Sequence, residues 1–435
     1  MSRIVTVREY ARLTVKDVNP TLDLATISAE DFDWLVDFAA YTRKGGAELL
    51  HVEDRCFLRL DNHVGVIETP AGTTIEILPK HVAAGENVAA HRALLLKMIR
   101  RVADVDPREA AEADLQALSL PLPEWLISRF LADLESLVKK GLRFDYTEVQ
   151  EESRFLRGRL DFPRQLRQPP GRQHLFHIHH EVFIPDGPEN RLLKSALRIA
   201  RDATRTSQNW RLARELWQYL EPVPESAYVD KDFMHWRSDR LMAHYQRVRT
   251  WCEMILRQSV PIAQLGQQRG ISLLFPMEEL FERFVATCLR RQLSVPYRLA
   301  TQARRHSLCM HIGKPIFQMR PDLLIECHRT PVAVLDTKWK RLESHKDKYG
   351  LGQSDFYQLF AYGEKYLSGS GELFLVYPAH PGFTEPLPAF DFSDSLRLWV
   401  VPFDLQSESL VFGEWSKKAE WIRSEALRPG YGTAA

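Results

Sequence analysis

Two apolar segments in the last third of the chain carry charged side chains where a buried strand rarely has them. The segment QMRPDLLIEC contains Asp322, and the segment PVAVLDTKWK contains Asp336 and Lys338. If the two form an antiparallel hairpin about the turn HRTP, Asp322 lies opposite Asp336 or its immediate neighbour. Because side chains alternate along a strand, Asp336 and Lys338 point to the same face. We therefore expect all three groups to meet at one end of the hairpin.

Two carboxylates held this close repel each other and favour a divalent cation between them. Mg²⁺ is commonly held by one or two carboxylates together with phosphate oxygens of a substrate, and Mn²⁺ suits the same oxygen ligands. A lysine beside the pair can orient or deprotonate an attacking water and stabilise charge on a phosphate. The spacing predicts hydrolysis of a phosphodiester. The plainer alternative is a buried ion pair between Lys338 and one acid, with the second acid exposed.

Two amphipathic segments around the strand pair can add polar groups to the site. In PMEELFERFVATCLRRQLS, Glu282 borders the apolar stripe of a predicted helix and can reach a site that this helix covers. In DFYQLFAY, Gln358 and Tyr362 are four residues apart and share a helix face. A further strand, GELFLVYP, gives the order helix, strand, strand, helix, strand. Alone, each helix also reads as an ordinary amphipathic helix with an exposed polar border.

Length and composition indicate a globular protein of two or three domains. The chain has 435 residues, 45% hydrophobic and 26% charged, and a formal charge of +1 gives no overall sign of nucleic-acid binding. Its five cysteines are scattered without a CxxC pair, which predicts reduced thiols. The first fifteen residues lack the pattern of a signal peptide, and no apolar run is long enough for a membrane span. We expect a cytoplasmic protein that does not enter membranes.

Changes in periodicity along the chain predict a multidomain α+β or α/β protein in three parts. Residues 1–180 form a β-rich domain with helices, which include a helix over 27–40 with a capping box at Ser28 and Asp31. Residues 181–270 form a helical region, and residues 271–435 form a mixed sheet flanked by helices. The best boundary lies in 261–276, between two glycine-containing turns.

The helix and strand order, together with the acids after Pro321 and in LDTKWK, resembles the PD-(D/E)XK nuclease superfamily. More narrowly, the segments FE, RPD, LDTKWK, DFYQLFAY and LVYP resemble the carboxy-terminal domain of the McrC family. Upstream, IEILPK and ENRLLKSAL resemble the amino-terminal and middle regions of that family, so the resemblance covers most of the chain.

The resemblance implies an Mg²⁺-dependent DNA endonuclease subunit of a modification-dependent restriction system. Its partner would be an McrB-like AAA+ GTPase hexamer, whose GTPase it stimulates and into which its β-rich amino-terminal region inserts, and its substrate would be methylated double-stranded DNA. The chain shows no G-x-x-x-x-G-K-[ST] motif, which fits nucleotide hydrolysis by a partner. The implied site consists of Asp322, Asp336 and Glu282 at the metal, Lys338 as the catalytic lysine, and Gln358 and Tyr362 as supporting groups.

Three alternatives remain open from the sequence alone. The chain could be an adaptor that activates a ring NTPase without cutting DNA, or a repair-type nuclease that works without a partner. The histidine-rich segment RQHLFHIHHEVF could hold a zinc ion, although no cysteine or acid spacing accompanies it. The plainer interpretation is a half-exposed strand.

Overall fold

The chain divides into two compact units, one of Met1–Asp114 with Val260–Ala435 and the other of Leu115–Ser259. Both units combine sheets with helices, which confirms the predicted mixed α and β multidomain class. Among the described residues, no helix has the length and apolar composition to cross a membrane. The structure, a computed structural model, describes residues 3–44, 48–80, 87–103, 121–237, 240–260, 272–343, 346–417 and 419–423.

The amino-terminal part of the first unit is rich in short strands, as predicted. Its first helix follows Ser28, whose hydroxyl accepts a hydrogen bond from the Asp31 backbone N–H at 3.1 Å and donates one to the Asp31 carboxylate at 2.7 Å. The predicted capping box is therefore confirmed. The elements are β1 (Arg3–Arg8), β2 (Arg12–Thr14), β3 (Leu24–Thr26), α1 (Ala29–Lys44), β4 (Leu50–Val52), β5 (Phe57–Leu60), β6 (His63–Glu68), β7 (Thr73–Leu78) and α2 (Val88–Val102).

The second unit is mainly helical and carries one three-stranded antiparallel sheet. Its longest helix has Pro123 in its first turn and Gly141 just after its end, because proline suits the first turn and glycine tolerates the left-handed φ of 103°. The elements are α3 (Leu122–Lys140), β8 (Asp145–Ser153), β9 (Arg159–Leu160), α4 (Phe162–Leu166), β10 (Phe176–Ile184), α5 (Pro188–Ala203), α6 (Ser207–Tyr219), α7 (Val229–His235) and α8 (Gln246–Gln258). The sheet order is β8-β10-β9.

The carboxy-terminal part contains the predicted order of helix, strand, strand, helix and strand, with extra strands that the sequence did not predict. The elements are β11 (Ser259–Val260), β12 (Ser272–Pro276), α9 (Met277–Gln292), β13 (Tyr297–Thr301), β14 (Ser307–His311), β15 (Lys314–Gln318), β16 (Leu323–Cys327), β17 (Thr330–Thr337), α10 (Gln353–Tyr366), β18 (Gly371–Pro378), β19 (Phe390–Asp391), β20 (Leu396–Asp404) and β21 (Ser409–Leu410). The predicted order corresponds to α9, β16, β17, α10 and β18. The additional strand β13 and the β14–β15 hairpin lie between α9 and β16.

A pairing between distant strands joins the two ends of the chain within the first unit. Strand β12 pairs antiparallel with β6, so the amino-terminal sheet has the order β1-β7-β6-β12-β11, and a second small sheet has the order β3-β2-β5-β4. This grouping differs from the three sequence-predicted domains 1–180, 181–270 and 271–435, because a pairing between strands about 200 residues apart leaves no trace in local periodicity. The predicted boundary at 261–276 falls mostly outside the described residues.

The largest sheet is mixed and has helices on both faces, as predicted. Its order is β13-β16-β17-β18-β20-β19, with β21 on β20; β13, β16 and β17 are antiparallel, and β17, β18 and β20 are parallel. Helix α10 contributes Leu359 to the cluster that contains Val334 and Leu375. Phe403 on β20 points to the opposite face of the sheet, because side chains alternate along a strand. Its ring centroid lies 6.2 Å from that of Phe281 in α9. Each helix therefore approaches the sheet end from its own side.

Substitution of Gly65 by alanine should destabilise the first unit strongly. A Cβ at Gly65 would lie 2.0 Å from the Leu273 carbonyl oxygen on β12, and its φ of 132° disfavours other residues. We expect a loss of more than about 3 kcal/mol in the free energy of unfolding, measured by urea titration. Gly72→Ala is the matched control, since φ there is 88° but no atom lies within 4 Å, so the cost should stay near 1 kcal/mol. Equal midpoints for the two variants would contradict the close contact.

Candidate active site

The antiparallel pair β16 and β17 places two acids opposite each other. Leu323 pairs with Leu335, so the same register puts Asp322, one residue before β16, opposite Asp336. The Thr337 backbone N–H and hydroxyl donate to Asp322 Oδ2 at 2.8 and 2.9 Å. The predicted juxtaposition is therefore confirmed, although the strands are shorter than predicted. The turn consists of His328 and Arg329, both with left-handed φ values.

Asp336 is buried in a position that disfavours its charged form. Its side chain is 2% exposed, and burial together with the charge of Asp322 raises its pKa to about 7. Burial also raises the pKa of Asp322. Lys338 Nζ lies 2.8 Å from Asp336 Oδ2, yet among the described residues this oxygen accepts no well-directed hydrogen bond. The contact is thus an ion pair, and the ammonium group partly offsets the effect of burial on Asp336.

Lys338 lies just beyond β17 and is held as an ammonium group. Its backbone N–H donates to the Val376 carbonyl oxygen at 2.9 Å, which extends the pairing of β17 with β18. Burial alone would lower the pKa of Lys338, but Asp336, Asp355 and Asp322 outweigh burial and raise it. A lysine with a raised pKa keeps its proton, so it can orient water and stabilise negative charge but is a poor general base. Both roles that the sequence left open for Lys338 remain predictions.

Asp355 is a member of the site that sequence reasoning missed. Its Oδ1 lies 3.7 Å from Lys338 Nζ, from the first turn of α10. Its spacing in the sequence could have identified it, because Asp355 precedes Gln358 by three residues and therefore shares its helix face. The carboxylate gives Lys338 a second anionic neighbour besides Asp336.

Glu282 reaches the acid pair from α9 through a glutamine. Gln302 Nε2 donates to Glu282 Oε1 at 2.7 Å and lies 3.5 Å from Asp322 Oδ1. Burial and the charge of Asp322 raise the pKa of Glu282 to about 7. The structure thus brings Glu282 beside the site, as the sequence predicted. Gln302 carried no sequence signal, because its place depends on the end of β13, which was not predicted.

Gln358 and Tyr362 contact each other and support the segment before Asp322. Gln358 Nε2 donates to the Tyr362 hydroxyl at 2.8 Å, and that hydroxyl donates to the Arg320 carbonyl oxygen at 2.9 Å. Burial raises the pKa of Tyr362, so the phenol stays protonated and remains a donor. Tyr362 therefore fixes the backbone two residues before Asp322, whereas Gln358 is exposed and acts on the site through Tyr362.

The donor set fits a hard divalent ion better than zinc. In the part of the chain that the structure describes, no three His, Cys, Asp or Glu side chains are grouped so as to hold a metal ion together. Zinc sites use three or four protein ligands, whereas Mg²⁺ is commonly held by one or two carboxylates and completes its shell with water and phosphate oxygens. The two opposed carboxylates of Asp322 and Asp336 fit that second pattern. The assignment of Glu282 as a further ligand stays a prediction.

The histidine-rich strand β10 forms ion pairs in the second unit. His179 Nδ1 lies 3.2 Å from Glu148 Oε1, and its Nε2 lies 3.2 Å from Asp161 Oδ2. The hydrogen bonds to Asp161 and Glu148 raise the pKa of His179. His177 Nε2 lies 3.6 Å from Glu152 Oε1. Because both nitrogens of His179 face carboxylates, its ring is a donor on both sides, which is unsuited to a metal ligand. The half-exposed strand is the better interpretation.

Comparisons with known proteins agree with the fold and cover most of the chain. The family described as McrBC 5-methylcytosine restriction system component matches residues 58–378. A chain of the Thermococcus gammatolerans assembly of McrB AAA+ hexamers with bound McrC has a TM-score of 0.54 at 20% sequence identity, covering 92% of this chain and 94% of that chain. This likeness shows a shared fold.

The match to a curated relative covers a smaller part of the chain. The Type IV methyl-directed restriction enzyme EcoKMcrBC of Escherichia coli (strain K12) is 22% identical over 206 residues, which are 43% of this chain and 55% of the relative. The chain thus spans about half the length of the curated relative that it matches.

Substitution of Glu282 by glutamine should stabilise the protein above neutral pH. The carboxyl has a pKa of about 7 in the folded state against 4.5 normally, so its neutral form favours folding at low pH, and stability is lost as the pH rises through about 7. Glutamine does not ionise, and we expect Glu282→Gln to gain up to about 3 kcal/mol at pH 8 and little at pH 5. Unfolding midpoints from pH 5 to 8.5 in a metal chelator measure this. Glu278→Gln, at an exposed carboxylate of α9, is the control, and a gain independent of pH would contradict the assignment.

Proposed function

Because the chain belongs to the family of McrBC 5-methylcytosine restriction system components, we propose that it is the DNA-cleaving subunit of such a system. It would be an Mg²⁺-dependent endonuclease of the PD-(D/E)XK type that acts with a ring-forming, McrB-like AAA+ GTPase hexamer on methylated double-stranded DNA in the cytoplasm. The observation that carries this proposal is the pair of buried, opposed carboxylates with an ammonium group at the same strand ends.

The geometry of the acids and of the two flanking helices supports the PD-(D/E)XK assignment. Pro321 and Asp322 precede one strand, and Asp336 and Lys338 stand at the end of its antiparallel neighbour. Helices α9 and α10 approach from opposite faces and contribute Glu282 and Tyr362. The arrangement combines two oxygen ligands, a fixed cation and hydrogen-bonded supports, which are the groups that phosphodiester hydrolysis needs.

The side chains of this protein have distinct parts in the proposed reaction. A divalent ion between Asp322 and Asp336 would supply a Lewis acid that polarises the phosphate and lowers the pKa of water. Lys338 would orient the attacking water and stabilise the negative charge that develops on the phosphate. The water oxygen forms a bond to phosphorus as the bond to the leaving sugar oxygen breaks in line; the water releases one proton to solvent, and the leaving oxygen takes up one proton. Gln302 and Tyr362 hold Glu282 and the segment before Asp322 in place.

The McrB-like partner is proposed from the family and from the related assembly. The family is described as a component of the McrBC 5-methylcytosine restriction system, and the T. gammatolerans chain of similar fold comes from an assembly of McrB AAA+ hexamers with bound McrC. The sequence of the present chain has no phosphate-binding P-loop motif, so the energy of nucleotide hydrolysis would come from the partner.

Removal of either charged group at the end of β17 should abolish cleavage and spare the partner interaction. Asp336→Asn removes a metal ligand and Lys338→Met removes the fixed cation, so we expect each to lower the cleavage rate at least ~100-fold. The assay mixes the full chain with an McrB-like AAA+ protein, methylated duplex, GTP and Mg²⁺. Stimulation of GTP hydrolysis should stay within about twofold of wild type, because both groups lie inside the site.

The control for both variants is Asp391→Asn, which removes an exposed carboxylate paired with Arg397 at the edge of the same sheet. Undiminished cutting by Asp336→Asn and Lys338→Met would refute the proposed site. Stimulation of the partner without any cutting by the wild-type chain would favour an adaptor. Cutting by the isolated chain would favour a partner-independent nuclease.

Tyr362→Phe should weaken cleavage by loosening the position of Asp322. The variant keeps the buried ring but removes the hydroxyl that donates to the Arg320 carbonyl oxygen. We expect a roughly 10-fold lower rate at limiting Mg²⁺ and partial recovery at high Mg²⁺, since a misplaced ligand weakens metal affinity. A metal titration of the cleavage rate measures this. Tyr357→Phe, at an exposed tyrosine on the same helix, is the control. A rate loss that is the same at all Mg²⁺ concentrations would contradict a role in placing Asp322.

A further inference from the structure

The β14–β15 hairpin begins and ends at the candidate active site. The chain leaves β13 at Gln302, forms the hairpin and returns at Asp322. The Gln302 backbone N–H donates to the Asp322 carbonyl oxygen at 3.0 Å and closes the base of this excursion. The same two residues contact each other through their side chains at the acid pair. The root of the hairpin is therefore beside the acids.

The base of the hairpin is fixed on α10. The Tyr366 hydroxyl lies 2.6 Å from the Ala303 carbonyl oxygen and 3.3 Å from that of Met319. The Met319 backbone N–H donates to the His306 carbonyl oxygen at 2.9 Å, and the His306 ring packs edge-on against Tyr366 with centroids 4.6 Å apart. A buried tyrosine thus holds both strands at their root, so the direction of the hairpin is set by the same helix that supports the site.

The hairpin and the segments at its root are cationic without a compensating acid of their own. Residues 302–321 contain Arg304, Arg305, Lys314 and Arg320 and no aspartate or glutamate. Arg305 forms an ion pair with Glu326 on the neighbouring strand β16, while Arg304, Lys314 and Arg320 are exposed. In a chain with a net charge of only +1, this local excess of positive charge is complementary to a polyanion.

The hairpin also exposes large apolar side chains, two near its turn and Phe317 near its root. Met310 is 65% exposed, Ile312 86% and Phe317 71%. Ile312 and Phe317 also adopt left-handed φ values of 49° and 57°, which carry a conformational cost in residues other than glycine. Apolar side chains grouped on a projecting, cationic ribbon mark a binding surface rather than a solvated loop.

The dimensions of the hairpin suit the major groove of duplex DNA. Each strand has five residues, which at about 3.3 Å per residue gives a ribbon about 17 Å long. A two-stranded ribbon enters the major groove, which is about 12 Å wide, but not the minor groove at about 6 Å. Arginine and lysine contact the phosphates that line the groove, and apolar side chains contact base edges and methyl groups within it.

We infer that the β14–β15 hairpin docks in the major groove of the duplex next to the phosphate that the active site cleaves. Exposed Arg304, Lys314 and Arg320 would contact the DNA backbone, and Met310, Ile312 and Phe317 would contact the base edges. The inference rests on the proposed nuclease function and adds the surface that holds the substrate. A protein occupant, either a second copy of the chain or the ring partner, is less favoured because the acids at the root of the hairpin act on DNA.

A native cysteine on the hairpin allows a direct test in the full chain. Cys309 is exposed on β14, and Cys56 lies in the amino-terminal part of the same unit and serves as the internal reference. The background is the Asp336→Asn protein, which should not cleave. A 30-base-pair methylated duplex should slow alkylation of Cys309 by N-ethylmaleimide at least ~5-fold, because DNA bound over the hairpin excludes the reagent. The alkylation rate of Cys56 should stay unchanged. Equal rates with and without bound DNA would overturn the inference.

Substitutions on the same background measure how much the hairpin contributes to binding. The triple variant Met310→Ser, Ile312→Ser and Phe317→Ser should weaken duplex affinity at least ~10-fold. Lys314→Glu should reduce the slope of log affinity against log salt concentration by about one. Val295→Ser, at a side chain that is 89% exposed, and Lys365→Glu, at an exposed lysine on α10, are the matched controls. Unfolding midpoints should match the parent, because the substituted side chains are exposed.

The outcomes separate the inference from the proposed function. If the parent binds DNA and the hairpin variants bind equally well, the inference is overturned and the nuclease proposal stands. If the parent does not bind DNA in the presence of its AAA+ partner, both are overturned. If the variants retain DNA affinity but lose partner stimulation or self-association, the hairpin is a protein interface and the inference is overturned.

Discussion

The site depends on the forced proximity of two carboxylates, which repel each other and are costly to bury. Asp322 and Asp336 are kept together by the register of β16 and β17, which includes the buried apolar pairs Leu323 with Leu335 and Leu324 with Val334. A shift by one residue would turn every one of these side chains to the other face. The hydrophobic sheet thus provides the free energy that holds like charges in place, and the raised pKa values of both acids reflect the cost.

The surrounding elements reduce that cost without removing the reason for an ion. Thr337 donates twice to Asp322, and Lys338 supplies a positive charge to Asp336. Asp355 and Glu282 add further negative charge at the edges of the site. Four carboxyl groups thus lie around the Lys338 ammonium group, an electrostatic setting that suits a hard metal ion together with a phosphate.

Local patterns in the sequence predicted the parts of the site that depend on short-range structure. The strand period and the turn placed Asp322 opposite Asp336 and put Lys338 on the face of Asp336, and the helix period placed Glu282 and Tyr362 toward the sheet. Gln302 was missed because it depends on β13 and on a backbone conformation at the end of that strand. The grouping of the two chain ends was missed because β12 and β6 are far apart in sequence, so local periodicity has no access to their pairing.

Trp339, the residue after Lys338, ties the end of β17 to the start of the chain. Its indole N–H donates to Glu9 Oε1 at 2.8 Å, and Glu9, only 2% exposed, also accepts from the Lys80 backbone N–H at 2.8 Å. Cutting the chain near residue 270 would remove this acceptor of the indole N–H and would also remove β6, the strand with which β12 pairs. The part that carries the candidate site is therefore not an independent module. Its stability depends on contacts with residues more than 300 positions away. Recombination between relatives would therefore keep these contacts only if both ends of the chain came from the same parent.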